Sequence, residues 1–141
     1  MTPISIEDRL AINDLFVRYT CALDAGDVDT LVDCFTEDGW LVSPRVGECA
    51  GRAAIRRFAE HYAQFRRDGS QLRHIISNMA IQVDGERGRV TCYLIVFLTR
   101  DGKSRLLPPA VYDCELRKTG AGWRFRRRVV THDADYTLDG M

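Results

Sequence analysis

Apolar residues recur along the first third of the chain with the spacing of a helix. Ile12, Leu15, Phe16, Tyr19 and Leu23 fall at i, i+3, i+4, i+7 and i+11, one face of an amphipathic helix. Ser5 is placed to cap it, Asp8 sits in the first turn where negative charge is favourable, and Ala25-Gly26 ends it. Asp27 predicts the cap of a shorter second helix, Val28 to Phe35, with Leu31, Val32 and Phe35 inward. Glu37-Asp38-Gly39 reads as a turn and Trp40-Leu41-Val42 as a short strand before Pro44. Gly51 precedes a third helix in which Ile55, Phe58, Ala59 and Tyr62 repeat the helical spacing. Its other face, with Arg52, Arg56, Arg57, Glu60 and Arg67, is that of a solvated surface.

After Asp68-Gly69 the pattern becomes that of strands, about Gln71 to Val83, Arg87 to Arg100, Arg105 to Arg117 and Trp123 to Thr131. The connectors Asp84-Gly85, Asp101-Gly102 and Thr119-Gly120-Ala121-Gly122 are short and turn-rich, so neighbouring strands are expected to pair antiparallel. Pro108-Pro109 should bulge or break the third of these strands. Val90 to Leu98 is apolar at both parities, which requires cover on both faces, helices on one and a partner chain on the other. The last strand alternates large apolar residues with Arg124, Arg126 and Arg128, which predicts one polar, solvent-facing side. The architecture expected is α+β: three N-terminal helices packed in a curved, mainly antiparallel sheet, a cone whose wide end leaves a cavity for a small molecule.

The 141 residues are expected to form one domain, 1–141, with 45% apolar residues to supply its core. Twenty basic residues balance 20 acidic ones, which argues against a dedicated nucleic-acid binder. No run reaches the length of a membrane span, and Met1-Thr2-Pro3-Ile4-Ser5 lacks the regions of a signal peptide, so a soluble, cytoplasmic protein is expected. Cys21, Cys34, Cys49, Cys92 and Cys114 show no paired spacing and read as buried structural thiols. The histidines, His61, His74 and His132, lack metal-binding spacing, and no Gly-rich phosphate loop opens a helix, so no metal or nucleotide site is indicated.

The chemistry concentrates on Asp24, at the end of the first helix, and His74, entering the first long strand. An aspartate can hold one imidazole nitrogen and stabilise the protonated ring, leaving the other nitrogen to take a proton. A negative charge at a helix C-terminus opposes the dipole, so a purely structural role explains Asp24 poorly. Tyr19 lies on the apolar stripe, and its hydroxyl needs a partner if buried. Asn78 falls on the face of His74 in an undistorted strand, able to bind substrate or satisfy the backbone. Trp40 and Tyr62 are candidate pocket walls. Arg128 is a candidate anion-binding group if it reaches the cavity, although alternating arginines are ordinarily solvated.

The order of elements resembles the nuclear transport factor 2-like superfamily, and within it the SnoaL-like group, over Ile6 to about His132. The stretches that carry the resemblance are Arg18-Tyr19 through Asp24, Asp33-Cys34-Phe35-Thr36-Glu37-Asp38-Gly39, and Arg73-His74-Ile75-Ile76-Ser77-Asn78 with Ile81-Gln82-Val83-Asp84-Gly85. The group includes cofactor-independent enzymes: scytalone dehydratase, bile-acid dehydratase and hexachlorocyclohexane dehydrochlorinase. In these an aspartate ending the first helix orients a histidine that opens the first long strand, and Asp24 and His74 occupy those positions. The bile-acid enzyme has a tyrosine one turn before the aspartate, which Tyr19 matches. The resemblance therefore implies elimination without a cofactor from a small hydrophobic cyclic or polycyclic substrate, with His74 as base, Asp24 as its stabiliser and Tyr19 as hydrogen-bond donor. The second histidine of scytalone dehydratase has no clear counterpart, His61 being on the third helix and His132 late in the last strand. Alternatives on the same fold are a polyketide cyclase or ketone isomerase using the same base, and a non-catalytic ligand-binding or packing subunit. A homo-oligomer through the outer sheet face, dimer or trimer, is expected, with no nucleic-acid or membrane partner.

Overall fold

A computed structural model describes residues 3–138. Helix α1 (Ile6–Ala25) is followed by α2 (Val28–Asp33), strands β1 (Phe35–Ser43) and β2 (Gly47–Ala50), and helix α3 (Arg52–Arg67). Strands β3 (Gln71–Asp84), β4 (Arg87–Arg100), β5 (Lys103–Leu106), β6 (Ala110–Thr119) and β7 (Gly122–His132) complete the chain. The seven strands form a curved sheet in the order β2-β1-β7-β6-β4-β3, with β5 also on β4. Every pairing is antiparallel except β1 with β7, which is parallel. The three helices pack against the inner face of this α+β arrangement, as the hydrophobic pattern implies.

Helix α1 starts and stops where its residues dictate. The Ser5 hydroxyl accepts the Asp8 amide at 3.0 Å. At the other end Gly26 adopts φ 74°, and the Gly26 and Asp27 amides bond back to the carbonyls of Leu23 and Ala22. This left-handed cap turns the chain sharply, leaving Asp24 in the final turn beside the start of β3. Phe16, Tyr19, Phe35 and Phe125 meet edge-on or tilted at centroid separations of 5.0 to 5.9 Å, knitting α1 to β1 and β7.

Several local expectations are corrected. Helix α2 ends at Asp33, and Phe35 belongs to β1 instead of the helix. The turn at Glu37-Asp38-Gly39 lies inside β1, where the register against β7 shifts between Phe35 and Trp40. Gly39 is needed there, since a Cβ would stand 2.8 Å from Phe35 Cβ and 2.9 Å from the Thr36 carbonyl oxygen. Strand β2 has no apolar signal of its own and forms by pairing with β1. Pro108-Pro109 does break the third long strand, dividing it into β5 and β6.

Two β-bulges shape the inner face. Ser77 pairs with Tyr93 and Ala80 with Thr91, so Asn78 and Met79 together oppose Cys92. On β7, Arg127 pairs with Glu115 but Phe125 pairs with Leu116, leaving Arg126 as an extra residue. Each bulge reverses which parity faces inward. On β7, Trp123 and Phe125 point in before the bulge, and Arg128 and Val130 after it. The polar outer side predicted for this strand is therefore wrong for Arg128, exposed by only 2%, while Arg124 does point outward but is only 8% exposed, its guanidinium bonded to the Trp123 carbonyl and to Asp33.

On β4 the inward set Val90, Cys92, Leu94, Val96 and Leu98 is buried under the helices. The outward set is left open by the chain itself, with Tyr93 55% and Phe97 39% exposed, beside Ile75 and Leu106. Among the described residues, no helix is long and apolar enough to cross a membrane.

The Gly26 cap offers a direct test of what places Asp24. Gly26→Ala puts a side chain into the left-handed region, which costs about 1–2 kcal/mol, with the new Cβ also 3.4 Å from Ala63. Urea denaturation should show the unfolding free energy lowered by that amount, seen as a lower midpoint at unchanged m-value.

Candidate active site

A cavity lies between α1, α3 and the inner face of the sheet. Tyr19 and Leu23 of α1 and Phe58 and Tyr62 of α3 form one wall. Leu72, His74, Leu94 and Val96 of β3 and β4 form another, and Tyr112, Arg128, Val130 and His132 of β6 and β7 a third. Tyr136 and Leu138 close it from the segment after β7.

Asp24 and His74 meet at its edge. Oδ1 of Asp24 lies 2.5 Å from Nδ1 of His74, and Oδ2 accepts the His74 backbone amide at 3.0 Å. Both side chains are nearly buried, 11% and 7% exposed. A carboxylate acceptor assigns the proton to Nδ1, leaving Nε2 as the basic atom. Gln71, which sequence reasoning did not single out, fixes the base of this arrangement, its side-chain amide donating to the Asp24 carbonyl at 2.9 Å and the Leu72 carbonyl at 2.7 Å. That carbonyl is one of the orphans of a helix C-terminus, which a basic or amide side chain commonly satisfies.

Tyr19 is fully buried and lines the cavity, and its hydroxyl has no hydrogen-bond partner among the described residues. Burial pushes its phenol well above the ordinary range, opposed in part by the Arg128 charge. Tyr62 also lines the cavity, its ring 4.9 Å from that of Phe58, and burial raises its phenol as well.

Arg128, expected at the surface by default, is instead the largest fully buried side chain among the described residues. Its guanidinium carbon sits 4.2 Å from the Tyr19 ring centroid and 3.7 Å from that of Tyr112, so an aromatic ring lies against the cation on either contact. Its Nε is buried without a partner. Among the described residues, no ion pair includes Arg128 and no aspartate or glutamate lines the cavity. Two desolvated cation–π contacts are worth about 2 kcal/mol each, against a burial cost of several kcal/mol for a lone cation. The magnitudes leave the charge under-compensated by the protein alone.

Two proposed residues fall outside the site. Asn78 occupies the β3 bulge with φ 54° and is exposed, because the bulge rotates it off the His74 face. A short polar side chain tolerates that left-handed conformation, which explains an asparagine there. Trp40 lies on the opposite face of β1 from the buried Leu41 and stacks under Arg127, whose guanidinium carbon is 5.0 Å from its ring. Strand alternation puts Leu41 and Ser43 inward and Trp40 out.

His132 is a cavity residue that sequence reasoning left unassigned. The parity shift at Arg126 brings it onto the same face as Arg128 and Val130, and that bulge carries no signature in the sequence. Its ring is 4.8 Å from Tyr136, its Nδ1 is buried without a partner, and desolvation lowers its pKa from the usual 6.5. His61 is exposed on α3 and does not line the cavity. Of the cysteines, Cys34, Cys49, Cys92 and Cys114 are buried as expected, and Cys21 is exposed. Among the described residues, no three of His, Cys, Asp and Glu gather where they could hold a metal ion.

Residues 5–129 match the SnoaL-like domain. The chain belongs to the SnoaL-like domain family. An uncharacterised protein of Mycobacterium tuberculosis is 30% identical to it over 128 residues, covering 89% of this chain and 86% of that one. A nuclear transport factor 2-like protein with a cystatin-like fold from Novosphingobium aromaticivorans superposes with a TM-score of 0.80 at 28% identity, covering 96% of this chain and 85% of its own. A structure from Catenulispora acidiphila in complex with S-DNPA gives a TM-score of 0.81 at 25% identity, covering 92% and 96% of the two chains. In this SnoaL-like chain the helix-end aspartate and the strand histidine are in contact.

The lowered pKa of His132 has a definite pH consequence. Because the folded state disfavours the imidazolium, the unfolded chain binds the extra proton first as pH falls below about 6.5, and stability drops with it. Replacing His132 with Gln removes that loss. Thermal unfolding of both proteins from about pH 7.5 to about pH 5.5 should show the wild type losing stability relative to H132Q as the medium is acidified. A difference independent of pH would show that His132 is not held neutral.

Proposed function

We propose that this protein is a cofactor-independent lyase, a dehydratase or dehydrohalogenase, acting on a small cyclic or polycyclic substrate. The observation that carries the reading is the doubly anchored Asp24–His74 contact, with Nε2 left as the basic nitrogen at a largely apolar cavity. His74 takes a proton from the carbon beside a carbonyl or leaving group. The C–H electron pair becomes the new double bond, and the leaving group departs with the other electron pair. Asp24 stabilises the imidazolium through Nδ1–H. Tyr19, kept as a neutral phenol by burial, donates its O–H to the developing negative charge or to the departing group. Tyr62 and Arg128 hold the substrate, while Asn78 and Trp40, being outside the cavity, do not.

The similar structure from Catenulispora acidiphila, which is in complex with S-DNPA, supports a ligand-binding role for this fold. A cyclase or isomerase would use the same base without losing a leaving group, and product mass separates them: elimination loses water or acid, isomerisation conserves mass. His74→Ala should lower turnover by about 10²–10⁴-fold while circular dichroism and melting temperature stay near wild type. An unchanged rate would overturn the reading. Before any substrate is found, nitrogen-15 NMR should show the Nδ1–H tautomer of His74, lost in Asp24→Ala.

The open outer face of β3, β4 and β5, carrying Ile75, Tyr93, Phe97 and Leu106, supports a homo-oligomer formed through the sheet, with a dimer as the first expectation. Tyr93→Glu places a charge at its centre. Sedimentation should then show a monomer where the wild type is associated, and a wild-type monomer at micromolar concentration would refute the expectation.

A further inference from the structure

Among the described residues the cavity holds one permanent charge and nothing to balance it. Arg128 is 2% exposed, lines the cavity, and leaves Nε unpartnered. Asp24, the acidic group nearest the cavity in function, is already committed to both the ring and the amide of His74. Tyr19 and Tyr112 cannot act as counter-ions, since burial raises both phenols and keeps them neutral. The neighbouring Cys92 and Cys114 thiols are likewise held protonated by desolvation. Two further cavity atoms are buried and unpartnered, the Tyr19 hydroxyl and Nδ1 of His132. An orphaned cation and an orphaned O–H donor, with the tyrosine ring against the guanidinium, describe half of an interaction whose other half is an oxyanion.

We propose that the ligand of this cavity is a ring-bearing carboxylic acid, its carboxylate paired with Arg128. The tyrosine rings lie against the guanidinium without accepting its polar hydrogens, and Nε–H has no partner among the described residues, so an N–H donor remains to meet a ligand, and a carboxylate matches it in a way a neutral oxygen does not. The ring system would lie against Phe58, Leu72, Leu94 and Val96, whose side chains must move apart to admit it, since the cavity they line is only about 40 Å³. This names the substrate class of the elimination reading, on which it rests for the chemistry that follows binding. The acid is a recognition handle and not the leaving group.

The test uses the full-length protein and four probes, 2-naphthoate, its neutral carboxamide, and acetate and sulfate as small-anion controls, measured by calorimetry and ligand-observed NMR. The wild type should bind naphthoate about ten- to a hundred-fold more tightly than the carboxamide, and more tightly than either small anion. Arg128→Gln should abolish that preference while leaving carboxamide affinity in place. His74→Gln should keep it. Where Arg128→Gln does not fold, Arg128→Lys retains the charge without the planar fork and should weaken naphthoate more than carboxamide. Equal affinity for acid and amide, no binding of naphthoate at millimolar concentration, or a preference that survives Arg128→Gln would overturn the proposal. Acetate or sulfate binding as tightly as naphthoate would overturn it too, reassigning Arg128 to a free ion. None of these outcomes touches the Nδ1–H tautomer of His74, so the acid proposal can fail while the general-base reading stands, and the reverse.

Discussion

The carboxylate of Asp24 joins the end of the first helix to the start of an edge strand, and the site depends on that joint. Among the described residues strand β3 has only β4 as a neighbour, so alternate backbone amides on its free side need another partner. At His74 that partner is Oδ2 of Asp24, while Oδ1 takes the ring of the same residue. One side chain therefore fixes where the histidine lies along the strand and how its imidazole is turned. A negative charge at a helix C-terminus costs about 0.3–1 kcal/mol, and charge-assisted hydrogen bonds of about 1.5–3 kcal/mol each offset it. Asp24 sits where helix propensity alone would not choose it because the strand supplies donors that the helix cannot.

How much of this was legible follows from which interactions are local. Helix α1, its Ser5 and Gly26 caps, and the break at Pro108-Pro109 are dictated by residues close in sequence, and they appear where the pattern puts them. Asp24 and His74 were identified by position in a family and by chemistry, and the fold brings them together. Arg128, Asn78, Trp40 and His132 were not readable in the same way, because each depends on which side of a strand faces inward. A single extra residue reverses that side for everything beyond it. Arg126 has nothing in its identity to mark it as the bulge, and Asn78 is a residue that tolerates left-handed backbone without requiring it.

The bulge on β7 thereby changes the character of the cavity. With regular alternation from Trp123, the inward positions after Phe125 would be Arg127 and Val129. The observed parity substitutes Arg128, Val130 and His132, and places a cation between Tyr19 and Tyr112. Such a group is costly to bury, and the aromatic contacts offset only part of that cost. A sequence that needed only a stable core would place an apolar side chain there, since a well-packed hydrophobe in place of a buried charge is often neutral or stabilising.

The separation of the two charges is what keeps both available. Were Arg128 to pair with Asp24, the guanidinium would be neutralised and His74 would lose the acceptor that fixes its tautomer, so one ion pair would remove both functions. The protein avoids this by spending both oxygens of Asp24 on His74, one on the ring and one on the backbone, and by holding Arg128 against tyrosine rings that attract a cation without neutralising it. The aromatic clamp is in this sense the complement of the carboxylate: it positions a charge while leaving that charge unspent.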